Sequence, residues 1–379
     1  MKKISMLILA LLMVVSLVAC DNTEDTKTPD ATLPDGESVF YAQQNYKLAE
    51  VADRLKLMGR ATVASNGIAC DLTATGIEFN AFIEDQFSFT VNCSKDTYFT
   101  VFVDGQRLEE RFEAKGNFVD CEIVVENLGE MTLRNICIVK QTESQLSVAT
   151  LKNVAFYGAL ASKPAKNDLY IEFLGDSITS GYGNLWTKNA ADPSSASGTA
   201  LYQDGTKSFA FLTAQLLQAD VSIVSCSGIG VDRGFTNQDG NGYRMMDFYI
   251  AASYHRSKTD AYDFENARVP DAVVINLGTN DQSLGSTEEA FKAGVRELVE
   301  SIRTSYGEDV PVVWVYGMMA DGCYQWTESV LNDMGGSTAK LYMFELVRNK
   351  EGGNGHPSEV AQKIASQQLT GFLVNNGII

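Results

Sequence analysis

Tyr170-Ile-Glu-Phe-Leu-Gly-Asp-Ser-Ile-Thr179 is the stretch on which the fold turns. A mainly apolar run enters Gly175-Asp176-Ser177, a turn composition, and Ile178-Thr179 then opens what reads as a helix. A strand that feeds straight into a helix is the repeating unit of a parallel α/β sheet. The same alternation recurs downstream. Apolar runs at 170–174, 221–225, 272–277, 310–316 and 341–346 read as buried parallel strands, and 208–219, 287–306 and 357–375 as amphipathic helices between and after them. Ser286 with Glu289 three residues on has the form of a capping box for the second helix. The pattern predicts a doubly wound parallel sheet over residues 166–379, with functional groups at the carboxyl ends of its strands.

Upstream the periodicity changes. Segments such as Phe87-Ser-Phe-Thr-Val91, Tyr98-Phe-Thr-Val-Phe-Val103, Cys121-Glu-Ile-Val-Val125 and Met131-Thr-Leu-Arg-Asn-Ile136 alternate with period two. Turn signals such as Asp104-Gly105 separate them, so residues 38–165 read as an antiparallel, jelly-roll-like β-sandwich. At 379 residues, 45% hydrophobic and 21% charged, the chain has the size for two domains and the apolar content for a core in each.

The first 37 residues are set apart from the fold. Lys2-Lys3 precede an apolar run too short to span a bilayer, closed by Leu17-Val18-Ala19-Cys20. These four residues look like a bacterial lipobox, which implies a signal peptide at 1–19 and lipidation of Cys20. Residues 20–37, acidic and rich in Pro, Thr and Asp, read as a tether. The expected place is therefore the cell envelope, on its periplasmic or surface face, with the membrane met only through the anchor. A net charge of −18 makes nucleic acid a poor partner. Beyond Cys20, six scattered cysteines do not form a disulfide scaffold, and pairing among Cys70, Cys93, Cys121 and Cys137 stays open. Two histidines and no CxxC leave little from which to build a metal site, so none is expected.

Four short motifs carry the chemistry, each after a strand or before a helix. Gly175-Asp176-Ser177 presents a hydroxyl among backbone N–H groups. Ser225-Cys226-Ser227-Gly228-Ile229-Gly230 follows the second parallel strand and brings a glycine N–H close. Gly278-Thr279-Asn280-Asp281 ends the third with a side-chain amide, and Gly355-His356-Pro357 precedes the last helix with an imidazole. Nucleophile, oxyanion donors and base are the parts of acyl transfer.

In these motifs and their order the chain resembles the SGNH hydrolase superfamily, over roughly residues 168–379, which implies the flavodoxin-like form of the doubly wound sheet. The phrase IEFLGDSITSGYGN, the Ser-Gly-Ile-Gly block and a preceding sandwich are similar, more narrowly, to carbohydrate esterase family two of the acetyl xylan esterase type. The resemblance implies Ser177 as nucleophile and His356 as base. It implies an oxyanion hole of the Ser177 N–H, the Gly230 N–H and the Asn280 amide, with Gly228 as the alternative glycine. The expected reaction removes acetyl groups from xylan- or glucomannan-type polysaccharide through an acyl-enzyme, without a cofactor. One position departs from the superfamily pattern: where an Asp usually stands three residues before the histidine, this chain has Gly353. Glu351, Asn354 or a backbone carbonyl must orient the imidazole instead, and a carbonyl is favoured.

Trp326, with Tyr324, and Trp186 follow strands or helices near the motifs and are candidate sugar platforms. His255 reads as a solvated surface residue, and Asp176 and Asp281 as braces of their turns. The alternatives are an esterase acting on lipid or other small acyl esters, and a glycan-binding surface lipoprotein whose esterase domain is silent.

Overall fold

The computed structural model describes residues 42–188, 199–235, 242 and 244–379. The signal peptide, Cys20 and the tether lie outside these residues. Among the described residues all six cysteines are free thiols.

The N-terminal region is an antiparallel sheet built around one long strand, Gly76–Cys93. Its burial alternates along most of its length, as strict period-two side chains require. Its first part pairs with Thr132–Lys140 and its second with Asp120–Val125, while Ala149–Leu160 runs along both. Phe79, Phe87, Phe89, Phe99 and Phe156 meet in the core that this sheet encloses. The four strands read from the sequence all lie in this sheet.

From residue 170 five parallel strands follow: Tyr170–Gly175, Asp220–Ser225, Ala272–Asn276, Val312–Gly317 and Leu341–Leu346. Numbered in chain order, they lie 2-1-3-4-5 across the sheet. Order reverses on either side of the first strand, and in such sheets the carboxyl ends at this point are where ligands bind. The helices Phe209–Leu216, Glu288–Tyr306 and Glu359–Asn375 stand where amphipathic stretches were read. The cap of the second is shifted by one residue. Thr287, not Ser286, accepts the Ala290 N–H, while the Ser286 backbone N–H donates to the Asp281 carbonyl.

Val39–Ile379 forms one compact unit, and buried charges cross between its two regions. Glu172 is fully buried in the first parallel strand, an uncommon place for a carboxylate unless it is paired. Its partner is Arg60, equally buried and 3.2 Å away, contributed by the N-terminal region. Ser222 and the Tyr306 hydroxyl donate to the remaining acceptor positions of the carboxylate. Lys56 similarly bridges Glu78 of the N-terminal sheet and Asp220 of the parallel sheet.

Candidate active site

Ser177 opens a four-residue helix, Ser177–Ser180, whose side chains are all buried. Asp176 before it is extended, and its Oδ1 accepts the Ile178 N–H at 2.9 Å, the standard way to cap a helix start. Gly181 ends the helix with φ +73°, a conformation that favours glycine. The hydroxyl of Ser177 is thereby held just outside the end of the first strand.

The imidazole of His356 reaches it from 179 residues away: Nε2 lies 2.8 Å from Ser177 Oγ. Nδ1 lies 3.1 Å from the Gly353 carbonyl oxygen, which can only accept, so Nδ1 carries the proton and Nε2 offers its lone pair to the serine O–H. A backbone carbonyl therefore stands in for the missing Asp. The same carbonyl accepts the His356 backbone N–H, Gly353 N–H donates to Gly183 O at 2.9 Å, and Glu359 N–H donates to Asn184 O at 2.9 Å. The histidine loop is in this way stitched to the segment just after the nucleophile. The contact is close enough that a Cβ on Gly183 would meet Gly353 O at 2.9 Å. Tyr182 backs the ring, with centroids 4.4 Å apart, and its hydroxyl accepts from Asn354 Nδ2 at 3.0 Å. Burial without a carboxylate partner lowers the His356 pKa to about 4, so the ring is neutral in ordinary buffers.

Asn280 Nδ2 donates to Ile229 O at 2.7 Å and makes a long 3.4 Å contact with Asp176 Oδ2, joining the third strand's end to the glycine block and to the nucleophile turn. Asp281 beside it accepts the N–H groups of Val231, Asp232 and Arg233 and so braces that loop. Asp176, fully buried and facing the Asp281 charge, has its carboxyl raised to about 7, chiefly by desolvation. The expected donor Gly230 is poorly placed. Asn280 sits on the carbonyl side of the Ile229–Gly230 peptide, and in a trans peptide the N–H points the opposite way. Gly230 is also buried inside its loop, where a Cβ would strike Arg233 O. Gly228, half-buried with φ +83°, is the better candidate.

Residues 171–369 match the GDSL-like lipase/acylhydrolase family. The chain belongs to that family. It is 28% identical over 325 residues to a cellulase/esterase, CelE, of Acetivibrio thermocellus, covering 82% of this chain and 38% of that protein. It is also 28% identical over 207 residues to an acetylxylan esterase/glucomannan deacetylase of Cellvibrio japonicus, covering 49% of this chain and 54% of that one. The acylhydrolase thus spans well under two thirds of either relative's length. Its structural neighbours include family two carbohydrate esterases. One from Clostridium thermocellum, solved in complex with cellohexaose, superposes with a TM-score of 0.77 at 26% identity, over 86% of this chain and all of that one. An acetyl xylan esterase from the rumen bacterium Butyrivibrio proteoclasticus shares the fold, with TM-score 0.77 and 18% identity over 89% of this chain and all of that one.

Some expected residues of the acylhydrolase stand elsewhere. Trp326 lies in the helix Tyr324–Asp333, half-buried, and packs on Phe291 of the neighbouring helix, centroids 6.0 Å apart, at the edge of the core. Tyr324 likewise meets Tyr316 edge-on. His255 is not a solvated surface residue: it is half-buried, its Nδ1 lies 2.8 Å from Ser144 Oγ, and its ring touches Phe248 and Tyr254. Two residues at the site were not read from the sequence. Tyr182 stands in the quoted motif, just past the end of the nucleophile helix, whereas Glu143 comes from the N-terminal region with no motif at all. Among the described residues no cluster of three or more His, Cys, Asp or Glu could hold a metal ion.

Proposed function

We propose that this acylhydrolase is a serine esterase that removes O-acetyl groups from xylan- or glucomannan-type polysaccharide. The 2.8 Å contact between Ser177 Oγ and a His356 Nε2 whose other nitrogen is tied to Gly353 O carries the reading. His356 takes the Ser177 proton as Oγ attacks the ester carbonyl, and the oxyanion is met by the Ser177 N–H, the Gly228 N–H and the Asn280 amide. Asn280 Nδ2 carries two N–H bonds; one donates to Ile229 O, and the other, which makes only a 3.4 Å contact with Asp176 Oδ2, is the one left for the oxyanion. His356 then protonates the departing sugar hydroxyl. Water, activated by the same ring, breaks the acyl-enzyme and releases acetate. The carbohydrate substrate is supported by the named activities of the relatives and by the cellohexaose-bound neighbour. We read the N-terminal antiparallel sheet as a jelly-roll-like sandwich, and Cys20 as a lipid anchor at the cell envelope. Globomycin-sensitive processing and labelling by a clickable palmitate, lost in Cys20→Ser, test the anchor.

The esterase is tested by hydrolysis of p-nitrophenyl acetate with the wild type and Ser177→Ala, followed by acetate release from acetylated xylan, glucomannan and pectin. Equal rates for the two proteins on the chromogenic ester would remove the reading. Release from xylan or glucomannan above that from pectin is the expected order.

A further inference from the structure

Lys140-Gln-Thr-Glu-Ser144 begins at the last residue of the strand Thr132–Lys140 of the N-terminal sheet. Its polar composition is that of an exposed loop, yet all five residues are 3% exposed or less. The Lys140 ammonium donates to the backbone carbonyls of Asp71 at 2.9 Å and Thr142 at 2.6 Å, with a longer 3.4 Å contact to that of Glu143. The cation thereby ties the loop back on itself. Gly205 N–H donates to Gln141 O, and Ser144 meets His255, so the parallel-sheet region grips the same loop from two sides.

What this loop presents is the Glu143 carboxylate, fully buried. Oε1 accepts the Ser227 hydroxyl at 2.6 Å and Oε2 accepts the Ser227 backbone N–H. Burial raises the Glu143 carboxyl while the two Ser227 bonds and the Lys140 charge oppose it. Desolvating a carboxylate is unfavourable unless its acceptor positions are filled, and here two of the groups that fill them belong to a single residue. Holding both the N–H and the side chain of Ser227 fixes its Cα–C axis, leaving only the rotation about that axis to set the next peptide, whose N–H belongs to Gly228.

We propose that Glu143 is a positioning residue of the esterase: the N-terminal region clamps Ser227 through this carboxylate and so aims the Gly228 N–H at the oxyanion. The inference rests on the proposed esterase reading. It makes the N-terminal region part of the catalytic apparatus, and the arrangement needs no sugar contact from it.

The test compares wild type, Ser177→Ala, Glu143→Ala, Glu143→Gln and Ser227→Ala in the full chain. kcat and KM are measured on p-nitrophenyl acetate, with kcat expressed per serine titrated by a fluorophosphonate. The affinity of a phenylboronic acid, whose Ser177 adduct places an oxygen in the oxyanion site, is measured in parallel. A misaimed donor should lower kcat by about 10²-fold in Glu143→Ala, leave KM within about threefold, and weaken the boronate by a similar factor to kcat. Glu143→Gln retains an acceptor for the Ser227 N–H and a donor for its hydroxyl oxygen, so it should stay within about tenfold of wild type. A role confined to folding would lower the titratable fraction and leave kcat per titrated serine and the boronate affinity unchanged; that result overturns the inference. If Glu143→Ala does not fold, Ser227→Ala decides, since it removes one of the two bonds: unchanged kcat and boronate affinity there also overturn it. Activity surviving in Ser177→Ala would instead remove the esterase reading itself.

Discussion

The histidine loop and the glycine loop flank the same serine, and they are held by opposite means. His356 is oriented by the backbone three residues before it, and that backbone is pinned by the chain just after the nucleophile. The glycine loop is gripped by a buried side chain 84 residues earlier in the chain. A carbonyl has no side chain to lose, so Gly353 can replace an aspartate without loss of orientation, though it provides no full negative charge for the imidazolium. The base side thus depends on close glycine packing, and the opposite side on a long-range carboxylate.

Removing the shared centre is the largest break. Ser177→Ala and His356→Ala should each lower kcat on p-nitrophenyl acetate by about 10⁴-fold or more, with little further loss in the double variant, because the two act as a unit. Asn280→Ala should lower kcat by about 10²–10³-fold at nearly constant KM. Gly183→Ala strikes the base side without touching a reacting group. Its φ is +64° and the new Cβ would press on the Gly353 backbone, so a fall in kcat of about 10-fold is expected, read in the same steady-state assay.

The pH profile sharpens the comparison further. His356 must be neutral to accept a proton and titrates near 4, so kcat/KM should rise with pH through about 4 and be flat by neutrality. An inflection above the ordinary histidine value would instead demand a carboxylate partner. The stability effects have opposite signs. The lowered His356 pKa means that stability is lost as pH falls from 6.5 through about 4. The raised Asp176 pKa gives a contribution complete below 3.8 and lost as pH rises through about 7, so Asp176→Asn should flatten the decline of the melting temperature over that window. Trp326→Ala, at the small end, should leave KM for acetylated xylan unchanged and lower stability by about 1–3 kcal/mol in a urea titration, because the ring packs on Phe291.

Residues whose role depends on local chain direction were legible. The five parallel strands lie within two residues of their apolar runs; four of them are almost wholly buried, and a strand buried on both faces has no polar side to blur its ends. Ser177 and His356 stood out because a strand-to-helix turn and a helix start announce themselves in composition. Features that depend on direction across space were not legible. Gly230 and Gly228 are two residues apart in one motif, and only the side on which Asn280 meets the intervening chain separates them. Trp326 had the composition of a sugar platform, but its helix turns it onto Phe291. Glu172 was passed over inside an apolar run, because its partner Arg60 lies 112 residues away.

Sequence alone determined the alternation of strand and helix, the serine, the histidine and the absence of the usual aspartate, because each is written within a few neighbouring residues. The tertiary structure alone decided which atom orients the imidazole, on which side of the Ile229–Gly230 peptide Asn280 lies and that a polar loop of the N-terminal region is buried against the glycine loop. Those are properties of distance and direction between segments far apart in the chain, and the free energy of burying Lys140 and Glu143 depends on partners that no local pattern can supply.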